Sequence, residues 1–368
     1  MNNPQRYLAL DVFRGMTIAT MITVNNPGSW SHIYAPLKHS AWHGCTPTDL
    51  VFPFFLFIVG VSMFFSFTKY DQKLDSKSLL KVLKRTALIF IIGLFLNSFP
   101  QWQTDYSKLR IMGVLQRIAL AYGIGSVIVL AFNKKYLPYI ALSILLIYWA
   151  LMGFLGGPDP YSLAGNLAPR VDAFLLGEAH LYKGFGLPFD PEGLLSTFPA
   201  IATVILGFMA GGLISRTERS KIPLYLIIYG VTGVAAGMLW GLLFPVNKPL
   251  WTSSYVIYTA GWACIIMAIL IWIIDIKGYT KWTPFFVVFG MNPLFIFALA
   301  GVWARILTRI IKINEGDTVI TGYNWLYQNI FQPFAGDING SLLFALSHIV
   351  VFWFICYVLY KKKIFIKV

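Results

Sequence analysis

Between Asp49 and Lys69 the chain runs from Leu50 to Thr68 without a charged side chain, and most of those residues are Phe, Val, Leu or Ile. About 20 such residues are what a helix needs to cross the hydrocarbon of a bilayer. Similar uncharged runs recur from Thr86 to Thr104, Ile118 to Asn133, Tyr136 to Pro158, Gly193 to Ser215, Ile222 to Asn247, Pro249 to Ile274, Trp282 to Ala304 and Ile338 to Tyr360. Inside lipid every backbone polar group must be paired within the segment or a closed barrel, so runs this long read as helices. Of 368 residues 57% are hydrophobic and 12% charged, where a soluble domain carries roughly 25% charged. No single soluble core of this size hides so much apolar surface, which excludes the soluble enzyme classes. The chain is therefore expected to be an all-α polytopic membrane protein, a single transmembrane domain over 1–368. Its ten spans are expected at 7–27, 49–68, 80–99, 111–132, 136–154, 193–214, 222–244, 253–274, 283–308 and 342–360. The first apolar stretch holds Asp11 and Arg14 and lacks a small-residue cleavage site, so it reads as a retained span rather than a leader.

The net charge of +14 would suggest nucleic acid in a soluble protein. Here its distribution points to the lipid bilayer as the partner and away from nucleic acid. With both termini on one side, that side holds 18 Lys and Arg, among them Arg6, Lys69 and Lys367, against four acids including Asp71. The other side holds nine basic residues and ten acids. Cytoplasmic loops carry the Lys and Arg excess, which places both termini in the cytoplasm. The outward loops are then 28–48, 100–110, 155–192, 245–252 and 309–341. Cys45, Cys264 and Cys356 are too few and too scattered for a disulfide framework or a zinc site.

Polar residues inside the spans are the candidates for chemistry. Asp11 and Arg14 share a helix face, either as a functional pair or as a lock between helices. Asn25 lies 11 residues beyond Arg14 on that face, about 16 Å along the axis. It either lines a path with Arg14 or caps the helix with Asn26. The string KHSAWHG supplies His39 and His43, and TPTD puts Asp49 at the start of the second span, where a carboxylate can orient and polarise a histidine. A metal site is not expected, because Pro36 and Gly44 prevent His39 and His43 from sharing a helix face. Gln116 and Arg117 sit one to two turns inside the fourth span, and a buried Arg needs an acid, a carbonyl or an anionic ligand. Lys81, Lys84 and Arg85 open the third span, as a phosphate-binding cluster or as topology-setting flanks. Asn292 before Pro293 is read as satisfying carbonyls that the proline frees, and Trp251 and Tyr255 as an interfacial aromatic belt.

In order along the chain, LDVFRG followed by VNN, then KHSAWHG, TDLVFPFFLFIVG, RIMGVLQRIALAY, LWTSSYV and GMNPLFIF resemble the heparan-α-glucosaminide N-acetyltransferase family of transmembrane acyltransferases. The likeness runs from the first span to the ninth. The chain is similar to bacterial homologues that form a bare ten-helix core without the extra N-terminal lumenal region of the lysosomal members, which implies the bacterial inner membrane. The resemblance implies acetyl-CoA as donor on the cytoplasmic side, an amino-sugar acceptor on the far side, no metal, and a homodimer. It implies His39 as the active residue and Asn25 as a residue holding the acetyl group. On that basis Asp49 is assigned to orient His39, and Arg14, Lys84, Arg85, Gln116, Arg117 and Asn292 to the donor. Trp42, Trp251 and Ser253 are assigned to the acceptor. Direct transfer with His39 as general base is preferred over an acetyl-histidine intermediate. An O-acyltransferase for envelope polysaccharide and a polar-solute transporter are the competing classes.

Overall fold

The computed structural model describes residues 7–68 and 72–366. Arg6, Lys69, Asp71 and Lys367, which enter the charge balance above, lie outside the described residues. The chain is a helical bundle. Its elements are α1 (Leu8–Asn25), α2 (Val51–Phe67), α3 (Ser76–Ser98), α4 (Val114–Ala131), α5 (Leu137–Leu155), a short α6 (Ala168–Leu176), α7 (Leu194–Arg216), α8 (Ile222–Trp240) and α9 (Ser253–Leu270). There follow α10 (Thr283–Met291), α11 (Pro293–Arg305), a hairpin of β1 (Lys312–Glu315) and β2 (Thr318–Thr321), α12 (Gly322–Leu326), α13 (Gln332–Ala335) and α14 (Asp337–Lys361). Among the described residues eight helices are long and apolar enough to cross a membrane. α1 and α3 also have spanning length, at about 1.5 Å per residue, but carry charges in their opening turns.

Two expectations are corrected. The span expected over 283–308 is two helices, because Pro293 cannot donate and the chain turns at Asn292, whose φ is −130°. The outward segment 309–341 is not loop throughout: the hairpin, α12 and α13 fill it, and the last helix already begins at Asp337.

Small residues let the helices pack at backbone contact, as membrane bundles require when apolar burial gives no drive. A Cβ on Gly60 of α2 would lie 2.1 Å from the Val204 carbonyl of α7, and one on Gly207 would lie 2.0 Å from the Phe57 carbonyl. α1 and α10 interlock in the same way through Gly15 and Gly290. These contacts tie α2 to α7 and α1 to α10, and the candidate site residues before the fifth span lie on α1, α3, α4 and the chain that leads into α2. α5, α8 and α14 instead turn Leu146, Leu224, Val350 and Phe354 outward, as lipid-facing helices do.

Candidate active site

The chain from Lys38 to Asp49 is folded around one carboxylate. Thr46 and Asp49 form a capping box over the turn Pro47–Leu50 that starts α2, the T-x-x-D pattern visible in TPTD. Asp49 Oδ2 accepts from the backbone N–H groups of Ser40 and Thr46 at 3.0 Å each, and from Thr46 Oγ1 at 3.0 Å. Its Oδ1 lies 2.6 Å from His39 Nδ1. Asp49 is buried, whereas His39 is 43% exposed and faces a cavity of about 300 Å³. Nδ1–H donated to Asp49 leaves the lone pair on Nε2, and the Lys248 ammonium lies 3.5 Å from it. The other histidines are engaged differently. His43 meets the Asn247 amide at 3.3 Å, His180 the Leu109 carbonyl at 2.7 Å, His348 the Phe344 carbonyl at 2.9 Å, and His32 lies 3.8 Å from Asp337. Among the described residues no group of three His, Cys, Asp or Glu is arranged to hold a metal.

Three further charges share the outer cavity, and sequence reasoning did not assign them to the site. Lys248 Nζ lies 3.1 Å from His39 Nδ1 and 3.5 Å from Asp49 Oδ1. Burial pushes its pKa below the usual range, while Asp49 and Glu192 pull the other way. Arg110 forks onto Asp190 at 2.8 and 2.7 Å and onto Glu192 at 2.5 Å. Burial lowers its pKa, but the two carboxylates outweigh that and hold it charged. Glu192 itself lines the cavity. The available signal was a Lys in KPLWTSSYV and two acids in DPEG, charges beside apolar sequence in segments between spans.

Beneath this cavity lies a second, of about 240 Å³, lined by Asn25, Asn97, Arg110, Gln116 and Arg305. Arg110 lines both. Asn26, not Asn25, makes the helix-end bond, to the Ile22 carbonyl at 2.8 Å. Asn25 is exposed to the cavity with no hydrogen-bond partner among the described residues. Gln116 is buried, and its Nε2 also lacks a partner. Asn97 is committed to the carbonyls of Arg110 and Met112.

A third cavity, of about 610 Å³, lies toward the opposite end and collects Arg14, Lys81, Lys84 and Arg85. Arg14 bonds Asp11 at 3.3 Å, Ser62 Oγ at 2.7 Å and the Gly290 carbonyl at 3.3 Å. It thus meets a carbonyl left open where α10 stops, at the negative end of the helix dipole. Arg85 stacks 4.7 Å over Tyr122, with its Nε buried and unpartnered. The second and third cavities are stacked along α1, α3 and α4. On α4 their linings, Gln116 and Ile118, are less than one helical turn apart.

Five other assigned residues have surroundings that the sequence did not show. Arg117 lines the outer cavity rather than the cationic one. It bonds Ser196 Oγ and, at 3.4 Å, Thr197 Oγ1, and lies 4.8 Å over the Trp251 ring. Trp251 is fully buried among Phe52, Tyr255 and Arg117, so it is no interfacial belt residue, although it lines the outer cavity to which the acceptor was assigned. Ser253 Oγ is spent on the Leu145 carbonyl, away from all three cavities. Trp42 donates to the Tyr161 carbonyl and packs on Phe185 and Phe189, stapling segment 28–48 to segment 155–192. Asn292 does not serve the carbonyls freed by Pro293. Its amide donates to the Ile364 carbonyl at 3.1 Å and its oxygen accepts from Ile366 N at 2.7 Å, so it pins the C-terminal tail, and Ile366 lines the cationic cavity.

A protein-family model described as "Heparan-alpha-glucosaminide N-acetyltransferase, catalytic" matches residues 6–230. The chain belongs to this family. It is 30% identical to the Homo sapiens heparan-alpha-glucosaminide N-acetyltransferase and 28% identical to the Mus musculus one. Those alignments cover 99% and 100% of the chain. The chain spans about 60% of the length of these curated relatives. The family match contains α1 to α7, and with them His39, Asp49, Asn25, Gln116, Glu192 and the cationic cluster. Lys248, Trp251, Asn292 and Arg305 lie beyond it.

Proposed function

We propose that this N-acetyltransferase-family chain moves an acetyl group from acetyl-CoA on the basic face of the membrane to the amine of an amino sugar on the other face. One observation carries the reading. The Asp49–His39 pair faces a polar cavity at one end of the bundle, a cationic cavity lies toward the other, and the unpartnered amides of Asn25 and Gln116 lie between. Lys84, Arg85 and Arg14 hold the donor phosphates by charge-assisted hydrogen bonds. The thioester end reaches the middle cavity, where Asn25 and Gln116 donate to the oxyanion as the carbonyl becomes tetrahedral. The acceptor enters the outer cavity as an ammonium attracted by Glu192 and gives up one proton to solvent before attack, so that the neutral amine carries the attacking lone pair. Its nitrogen bonds the carbonyl carbon and the C–S bond breaks. His39 Nε2 removes the proton from nitrogen and returns it to the leaving thiolate. Asp49 keeps the tautomer. The reading includes an inner-membrane location with both termini on the basic face, and a homodimer.

The test is an acetyl-CoA assay of the purified chain and its His39→Ala variant against a panel of amino sugars, read by mass spectrometry. N-acetylated product from the wild type alone supports the reading. Product acetylated on oxygen identifies an O-acyltransferase instead. If neither CoA nor acetyl-CoA raises the melting temperature, both acyltransferase readings fall and solute transport is left. Stable radioactive label on His39 in the absence of acceptor overturns direct transfer.

A further inference from the structure

A fourth cavity, of about 610 Å³, belongs to none of this machinery. It lies between α5, α7, α8 and α9, with α2 as its floor, and its lining includes Phe57, Phe208, Met209, Leu226, Ile257 and Cys264. Its volume is that of a ligand cavity, roughly 300–1,000 Å³. The hollow has a structural origin. α8 is tied to α9 at backbone contact by Gly230, Gly237 and Gly261, and it barely touches α7, although only a short turn joins the two. Gly212 and Gly233 on its wall have no side chain to fill it. A gap of this size in hydrocarbon forfeits the dispersion contacts of its lining unless something apolar occupies it.

The polar end of the groove is as informative. Lys134, at the start of the turn before α5, and Arg216, at the end of α7, line the cavity where it reaches the basic face. Neither has a carboxylate within ion-pair distance among the described residues, whereas nearby Lys221 is paired with Glu218 at 2.9 Å. The Lys134 ammonium instead lies 5.4 Å over the Phe64 ring at the groove wall. Two unmatched cations at the mouth of an apolar slot complement one molecule with an anionic head and a hydrocarbon tail. Basic pockets between transmembrane helices on that side select anionic lipid head groups. Flanking charges that merely set topology would sit equally well over a filled surface. Here they sit over a hollow.

We propose that this groove is a binding site for one anionic glycerophospholipid of the basic-face leaflet, its acyl chain between α7 and α8 and its phosphate between Lys134 and Arg216. The site is independent of the acetyl-transfer reading.

The experiment uses the full chain, stripped of lipid in detergent. Phosphatidylglycerol, phosphatidylcholine or inorganic phosphate is added back, and the readouts are native mass spectrometry and thermal melting. Phosphatidylglycerol is expected to bind one per chain and to raise the melting temperature saturably, with an affinity roughly ten- to thirtyfold above that of phosphatidylcholine. Inorganic phosphate is expected to do neither. In the double variant Lys134→Gln and Arg216→Gln the two lipids become equivalent. Met209→Trp, which fills the slot, is expected to abolish binding of both. Equal affinity of the two lipids for the wild type, or stabilisation by phosphate alone, overturns the proposal without the help of any variant.

Discussion

Gln116→Leu separates a catalytic amide from a structural one by the signs of two numbers. Gln116 is buried on α4, and its Nε2 has no partner. A buried donor left unmade costs about 1–3 kcal/mol. Leucine has similar bulk and no polar atom, so removing the amide should stabilise the chain by up to that amount. If the amide instead donates to the oxyanion, its loss costs about a hundred- to a thousandfold in kcat, or about 3–4 kcal/mol of transition-state stabilisation. The combined expectation is a variant that melts higher and turns over at least a hundredfold more slowly, with KM for acetyl-CoA little changed. Gly93→Ala is the companion change, since its Cβ would fall 2.5 Å from Gln116 Oε1 and push the amide out of place. It should reproduce the loss of kcat while Gln116 remains. The assay is steady-state acetyl transfer in detergent or nanodiscs, with melting on the same preparation. A Gln116→Leu enzyme that melts higher and keeps its kcat would refute the oxyanion role.

Three further outcomes follow from the geometry. Asp49→Asn should lower kcat about a hundredfold or more with donor KM unchanged, because it frees the His39 tautomer that the 2.6 Å bond fixes; an unchanged kcat removes Asp49 from the mechanism. Asp172 on α6 is buried and accepts from Leu195 N at 3.0 Å, and burial raises its pKa from 3.8 to about 6. A raised folded pKa means stability that is present below pH 3.8 and lost as pH rises through 6, about 3 kcal/mol in all. The wild type should therefore melt lower at pH 7.5 than at pH 4 by more than Asp172→Asn does, and parallel melting curves would contradict this. Asn292→Ala removes two bonds to the tail, each worth about 1 kcal/mol. Trypsin should then cut at Lys361–Lys363 roughly ten- to thirtyfold faster, and an unchanged rate would mean that the tail is held elsewhere.

The sequence by itself determined the helical bundle in lipid. Uncharged runs such as Leu50–Thr68 leave the backbone no other way to pair, whatever surrounds them. It also determined the local devices whose partners are a few residues apart: the Thr46–Asp49 capping box, the Asp11–Arg14 pair, and the strings that carry the family resemblance. The break at Asn292 was foreshadowed by Pro293, but not the use of the amide, since its partners Ile364 and Ile366 are more than 70 residues away. For the same reason Trp251 read as an interfacial aromatic. Hydropathy gives depth, whereas the turn 248–251 ahead of α9 decides whether the ring meets lipid or a buried Arg117. Only the tertiary structure put Lys248 against His39, Glu192 against Arg110, and Gln116 and Asn25 on one cavity. Each of these juxtapositions joins segments distant in sequence, and in a bundle such pairings are fixed by which backbones can approach closely, a property of pairs of helices that no single helix displays.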